Sequence, residues 1–127
     1  VAIELPVLAT PYPSMYPIYN LSQFLSPGIV TTATGGEFSV WGQITPNLVM
    51  VSLRVNPSAI ANEATGNILE GLPDEFKPVV NTPDSALQGI FLMTDGRVWK
   101  RSYSETGWYL ADRTEVSCMF TAPRRAA

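Results

Sequence analysis

Residues 37–56, EFSVWGQITPNLVMVSLRVN, decide the fold class. Phe38, Val40, Gly42 and Ile44 alternate with Ser39, Trp41, Gln43 and Thr45, the period of two that a half-buried strand requires. Pro46-Asn47 breaks the pattern with turn chemistry. Val49, Val51, Leu53 and Val55 then alternate with Met50, Ser52, Arg54 and Asn56, and Asn56-Pro57 ends the run. The reading is an antiparallel hairpin with one face buried.

The same alternation returns after residue 85. Leu87 to Met93 is an apolar run broken by Gly89, and Thr94-Asp95-Gly96 supplies a tight turn. Arg97 to Tyr103 pairs back, Trp108 to Ala111 is a short strand, and Val116 to Thr121 closes the domain. Six or more short strands separated by turns predict an all-β fold, a small antiparallel barrel or sandwich spanning residues 37–127. Residues 57–85 read mostly as connection, with one helical turn at Ser58 to Ala64. Within them, Leu72 and Phe76 of the proline-bracketed segment Gly71 to Pro78 plug one end of the core.

Residues 1–36 differ in character. They carry one charged side chain, Glu4, and the prolines Pro6, Pro11, Pro13, Pro17 and Pro27, which forbid a long helix and favour extended chain. The expectation is an extended Pro-rich arm packed across its own body or a neighbour's, or else a first edge strand plus loop. Tyr12, Tyr16, Tyr19 and Phe24 are its candidate oligomer contacts. Trp41 joins them, although core packing is the first role to expect of it. The chain begins at Val1, so a processed product or a piece of a longer protein is expected, with any stalk lying upstream.

Composition narrows the function. At 127 residues, 46% hydrophobic and 15% charged, the chain is an ordered single domain whose low charge points to burial against partner chains. A net charge of −3 and the acidic residues among the late arginines argue against nucleic acid, and no apolar run is long enough for membrane insertion. Histidine is absent and Cys118 is the single cysteine, lying beside Val116 and Phe120 as a buried small hydrophobe. General-base, nucleophile-activating and zinc chemistry therefore lack their usual residues, phosphate-cradling glycine loops are missing, and no cofactor, metal site or catalytic residue is expected. A carboxylate glycosidase among Asp74, Glu75, Asp95, Glu105, Asp112 and Glu115 is the remaining enzymatic alternative.

Saccharide recognition needs only aromatic rings and hydrogen-bonding neighbours. Trp99, Arg101, Tyr103, Trp108, Tyr109, Asp112 and Arg113 supply that mixture. In the strand, Arg97, Trp99, Arg101 and Tyr103 share one face, while Val98, Lys100 and Ser102 share the other. A solvated face, or one packed on a sister subunit, is the alternative to a sugar site.

Two short motifs add a resemblance. Leu72-Pro73-Asp74-Glu75-Phe76-Lys77-Pro78, followed by an apolar strand and Asp95-Gly96-Arg97-Val98, resembles a pattern recurrent in phage tail-fibre and baseplate proteins. The match is to the C-terminal head domain of receptor-binding proteins from phages of lactic-acid bacteria, over about residues 37–121. Lys77 stands where arginine is usual, and the histidine frequent in those saccharide sites has no counterpart. The resemblance implies a β-barrel head, a homotrimer at the virion's tail tip, that partners other tail or baseplate proteins and binds host cell-wall saccharides without catalysis. A structural baseplate or virion-decoration module that binds protein partners is the alternative.

Overall fold

The computed structural model describes residues 5–11, 15–32, 39–56, 65–84, 89–102 and 115–125. The expected helical turn at Ser58 to Ala64 and the strand at Trp108 to Ala111 lie outside them. The described residues form two antiparallel sheets around one apolar core, an all-β sandwich.

The first sheet is built on the hairpin of β3 (Val40–Ile44) and β4 (Leu48–Asn56). Its register pairs Val40 with Leu53 and Ile44 with Val49, so the alternation read from the sequence becomes a buried face of Val40, Gly42, Val49, Val51, Leu53 and Val55. On its other side β4 pairs along its length with β9 (Val116–Pro123), whose Val116, Cys118, Phe120 and Ala122 face the core. Strand β1 (Ile18–Asn20) flanks β3, and the short β2 (Val30–Thr31) pairs with the end of β4.

The second sheet runs in the order β5 (Gly66–Leu69), β8 (Val98–Lys100), β7 (Ile90–Leu92), β6 (Thr82–Pro83). Residues 57–85 are mostly connection among those described, but they also hold two short strands, β5 and β6, that the alternation did not reveal. The pattern was hidden because β5 is four residues long and bulged between Asn67 and Leu69, while β6 is only two residues long. The core gathers both sheets: Phe76, Phe120, Leu21, Leu53, Ile68, Leu69, Ile90 and Leu92 are all essentially inaccessible. Each such side chain contributes about 1.5–3 kcal/mol of transfer free energy.

Several described segments of the first thirty-six residues bond to the chain's own body, while Val7, Met15 and Val30 remain exposed. Leu8 N–H donates to Ile18 O and Asn20 N–H to Pro6 O, adding residues 6–8 to the outer edge of β1. The chain then turns through a 3₁₀ turn at Ser22–Phe24 and crosses to the other sheet. Ser26 N–H donates to Ile68 O and Glu70 N–H to Phe24 O, which covers the free edge of β5. Strands β1 and β2 are thus members of the same sheet as β3 and β4.

The opposite seam, between β6 and β9, is closed differently. The Asp84 carboxylate accepts the Met119 N–H at 2.9 Å, and Val79 N–H donates to Pro123 O at 3.1 Å. Both seams occupy backbone groups that an open sheet edge would leave unpaired.

Two glycines are fixed by space. A Cβ on Gly42 would lie 2.6 Å from Phe76 Cε1 and 2.7 Å from Leu21 Cδ1. Gly96 has φ +85°, a conformation that side chains disfavour, and its Cβ would lie 2.9 Å from Leu72 O. The Leu72 N–H donates to Gly96 O at 3.2 Å. The segment Leu72 to Pro78 and the turn at Asp95-Gly96 therefore meet in space. Leu72 and Phe76 are buried beneath them, as the sequence led one to expect, while Asp74 and Glu75 remain exposed.

Candidate functional site

Strand β8 sorts its side chains by face. Val98 and Lys100 turn inward, both buried, so Trp99 turns outward with Arg97 and Arg101 on either side. Lys100 ends with its Nζ 3.1 Å from Arg101 O, and burial pushes its pKa down from the usual lysine value. Its long stem lines the core, and its ammonium head holds the backbone at the strand's end.

Register then assembles the outer face. Asn67 pairs with Trp99, Trp99 with Phe91, and Phe91 with Pro83, which sets these four side chains in one row across the second sheet. The Trp99 and Phe91 rings have centroids 6.3 Å apart and are inclined at 43°. Both are half-buried, leaving ring surface open to solvent. The Arg101 guanidinium carbon lies 5.0 Å from the Phe91 centroid, within cation–π range, and makes no ion pair among the described residues. At the other end Arg97 Nε donates to Asp95 at 2.7 Å and its Nη1 to Asn67 Oδ1 at 3.3 Å. Asn67 Nδ2 in turn donates to Glu70 at 3.2 Å. The result is an aromatic platform with a stacked guanidinium at one end and a cross-linked polar rim at the other.

Such a surface can take the apolar face of a pyranose on its rings while the rim and Arg101 take hydroxyls. The rim is held in place by its own hydrogen bonds, so less side-chain entropy is lost when a ligand arrives. Among the described residues no three His, Cys, Asp or Glu groups converge to hold a metal. Of the carboxylates weighed for hydrolysis, Asp74 is tied to Lys77 at 2.6 Å, Asp95 to Arg97, and Glu115 to Arg54 at 2.8 Å, while Glu75 is exposed and in no ion pair among the described residues. Glu105 and Asp112 lie outside the described residues.

Of the saccharide candidates, Trp99 and Arg101 stand together on this platform. Tyr103, Trp108, Tyr109, Asp112 and Arg113 fall in residues 103–114, between β8 and β9 and outside the described residues. Phe91 and Asn67 are partners that the sequence reading passed over. Phe91 was detectable: it sits between the inward Ile90 and Leu92, and a period of two through that apolar run turns it outward. Asn67 was not, because the bulge shifts the register of β5.

The candidate oligomer contacts are dispersed. Tyr19 shares the inward face of the first sheet and meets Phe76 edge-on at 6.1 Å, and Phe24 is in the core at 8% exposed. Tyr16 borders a cleft beside Ile44, and its carbonyl accepts Gln43 Nε2 at 2.7 Å. Tyr12 is outside the described residues. Trp41 is not a core residue: β3 turns Val40 and Gly42 inward and Trp41 outward, half-buried, in a row with Asn20, Ser52 and Met119.

Cys118 is buried, as read from its neighbours, and burial together with the Asp84 charge pushes its thiol pKa far above the ordinary range. Compared with protein-family models, with curated proteins and with solved structures, the chain matches none.

Proposed function

We propose that this chain is a non-enzymatic receptor-binding head of a phage tail, attaching the virion to host cell-surface saccharides. The observation that carries the reading is the outward Trp99–Phe91 platform with Arg101 stacked on it and the Arg97–Asn67–Asp95 rim beside it. The motif resemblance supports the phage assignment, and the contact between its two halves makes them one local unit. Shallow sugar sites are weak singly, so the proposal includes a homotrimer whose linked sites raise the effective ligand concentration.

A second reading, a baseplate module that binds protein partners, draws on the outer face of the first sheet. There Met119, 48% exposed, and the half-buried Trp41 share a row with Asn20 and Ser52, a mixed surface that a protein partner could cover. Glycan-array and whole-cell adsorption assays, with mass measured in solution, separate the two. A trimer that binds host glycans supports the receptor-binding head. An oligomer or tail-protein complex that ignores glycans supports the baseplate module, and a monomer that adsorbs to nothing refutes the first reading.

A further inference from the structure

At one end of the sandwich, a cleft of about 540 Å³ opens between the β3–β4 turn, Tyr16 and the residues that follow β9. Its size falls within the roughly 300–1,000 Å³ of small-molecule sites. Thr45, Pro46 and Asn47 form one wall, and Arg124 and Arg125 another. In a chain with a net charge of −3, two adjacent guanidinium groups lining one cleft are a local reversal of sign.

Neither arginine is neutralised by a carboxylate within ion-pair distance among the described residues. The acid whose titration Arg125 influences is Asp74, which is committed to Lys77. Both arginines are instead positioned by carbonyls. Arg124 N–H donates to Asn47 O at 2.9 Å, and its Nη1 donates to Thr45 O at 3.2 Å. Arg125 Nη2 donates to Thr94 O, in the turn that also carries Asp95. These bonds fix the groups and leave their charge in place.

Arg124 has a further property. Its Nε is buried and has no hydrogen-bond partner among the described residues. A buried N–H of a charged group left unpaired is costly. With Nη1 occupied by Thr45 and Nε shielded from solvent, Nη2 is the guanidinium nitrogen left accessible and without a hydrogen-bond partner among the described residues. Its N–H groups, with the Arg125 guanidinium beside them, are donors suited to the oxygens of a carboxylate or phosphate.

We propose that this cleft binds an oxyanion, a carboxylate or phosphate group carried on a small solute or saccharide, through Arg124 with Arg125 beside it. The site is separate from the Trp99 platform and does not depend on it.

Calorimetric titration of the whole chain with inorganic phosphate, glucuronate and neutral glucose tests the proposal and separates the two oxyanion sources. Phosphate or glucuronate binds with an affinity that falls as salt is added, and glucose gives no heat in this site. Arg124→Gln and Arg125→Gln each weaken binding about tenfold or more, whereas Trp99→Ala leaves it unchanged. Arg125→Gln covers the case in which Arg124→Gln fails to fold, because among the described residues the exposed Arg125 side chain makes a single hydrogen bond, to Thr94 O. Binding of neither anion, or affinity unaltered in a folded Arg124→Gln or Arg125→Gln, overturns the site. So does a loss of anion binding in Trp99→Ala, which would place the anion on the platform instead.

Discussion

Gly42→Ala tests the packing that joins the 72–78 segment to the first sheet. The added methyl would sit 2.6 Å from Phe76 Cε1, 2.7 Å from Leu21 Cδ1 and 3.1 Å from the Met50 carbonyl oxygen. Phe76 and Leu21 are fully buried and the third neighbour is backbone, so none can move aside without disturbing the core. Overpacking of this kind costs about 1–3 kcal/mol, and three immovable neighbours place it in the upper half of that range. Alanine recovers roughly 0.5–1 kcal/mol of the glycine's conformational penalty. The net loss is therefore about 2 kcal/mol. Urea denaturation reads it as a midpoint lowered by roughly 1 M with an unchanged slope. Phe76→Leu, which removes the ring edge, lessens the cost of Gly42→Ala in the double variant by about 1 kcal/mol. A midpoint that stays put or rises in Gly42→Ala, or strict additivity with Phe76→Leu, would refute the reasoning.

Three further outcomes follow from single residues. Asp84→Ala removes the acceptor of the Met119 N–H at the β6–β9 seam and destabilises the chain by about 1–3 kcal/mol, measured by thermal or urea unfolding. Glu115 is held below the ordinary carboxylate range first by its hydrogen bonds from Arg54. A carboxylate with a lowered folded-state pKa stabilises above its unfolded value and loses that contribution as pH falls through the folded one. Stability therefore declines on acidification below roughly pH 4.5, and Arg54→Ala flattens that decline in a pH series of unfolding midpoints. Cys118, buried and with its thiol pKa raised, resists a thiol reagent in the native protein and reacts fully in denaturant; rapid native labelling would contradict its placement.

The legible parts of the sequence were those where one face is buried and the strand is long. The β3–β4 hairpin and β9 obey a period of two over five to nine residues, so core and surface separate cleanly. In β8 the same logic correctly turned Trp99 and Arg101 away from Val98 and Lys100. It could not anticipate that Lys100 would be buried with its head on a backbone carbonyl, because that depends on what covers the strand's end. Strands β2, β5 and β6 are too short or too irregular to set a period, and β2 and β5 pair with chain segments distant in sequence. The Arg124–Arg125 cleft is illegible for a similar reason. It exists because the end of β9 returns beside the β3–β4 turn, 79 residues away along the chain.

Binding of host-cell or wall glycans by Trp99→Ala, beside the wild-type chain and Trp41→Ala, is the most direct test of the saccharide platform. Trp99 is half-exposed on the second sheet, so its removal leaves the core intact, and unfolding midpoints verify this. A central aromatic anchor at a binding surface is worth about 2 kcal/mol or more, roughly a thirtyfold loss of affinity. The account predicts that loss in Trp99→Ala, a smaller one in Arg101→Ala, and none in Trp41→Ala on the other sheet. Wild-type glycan binding by a folded Trp99→Ala would contradict it.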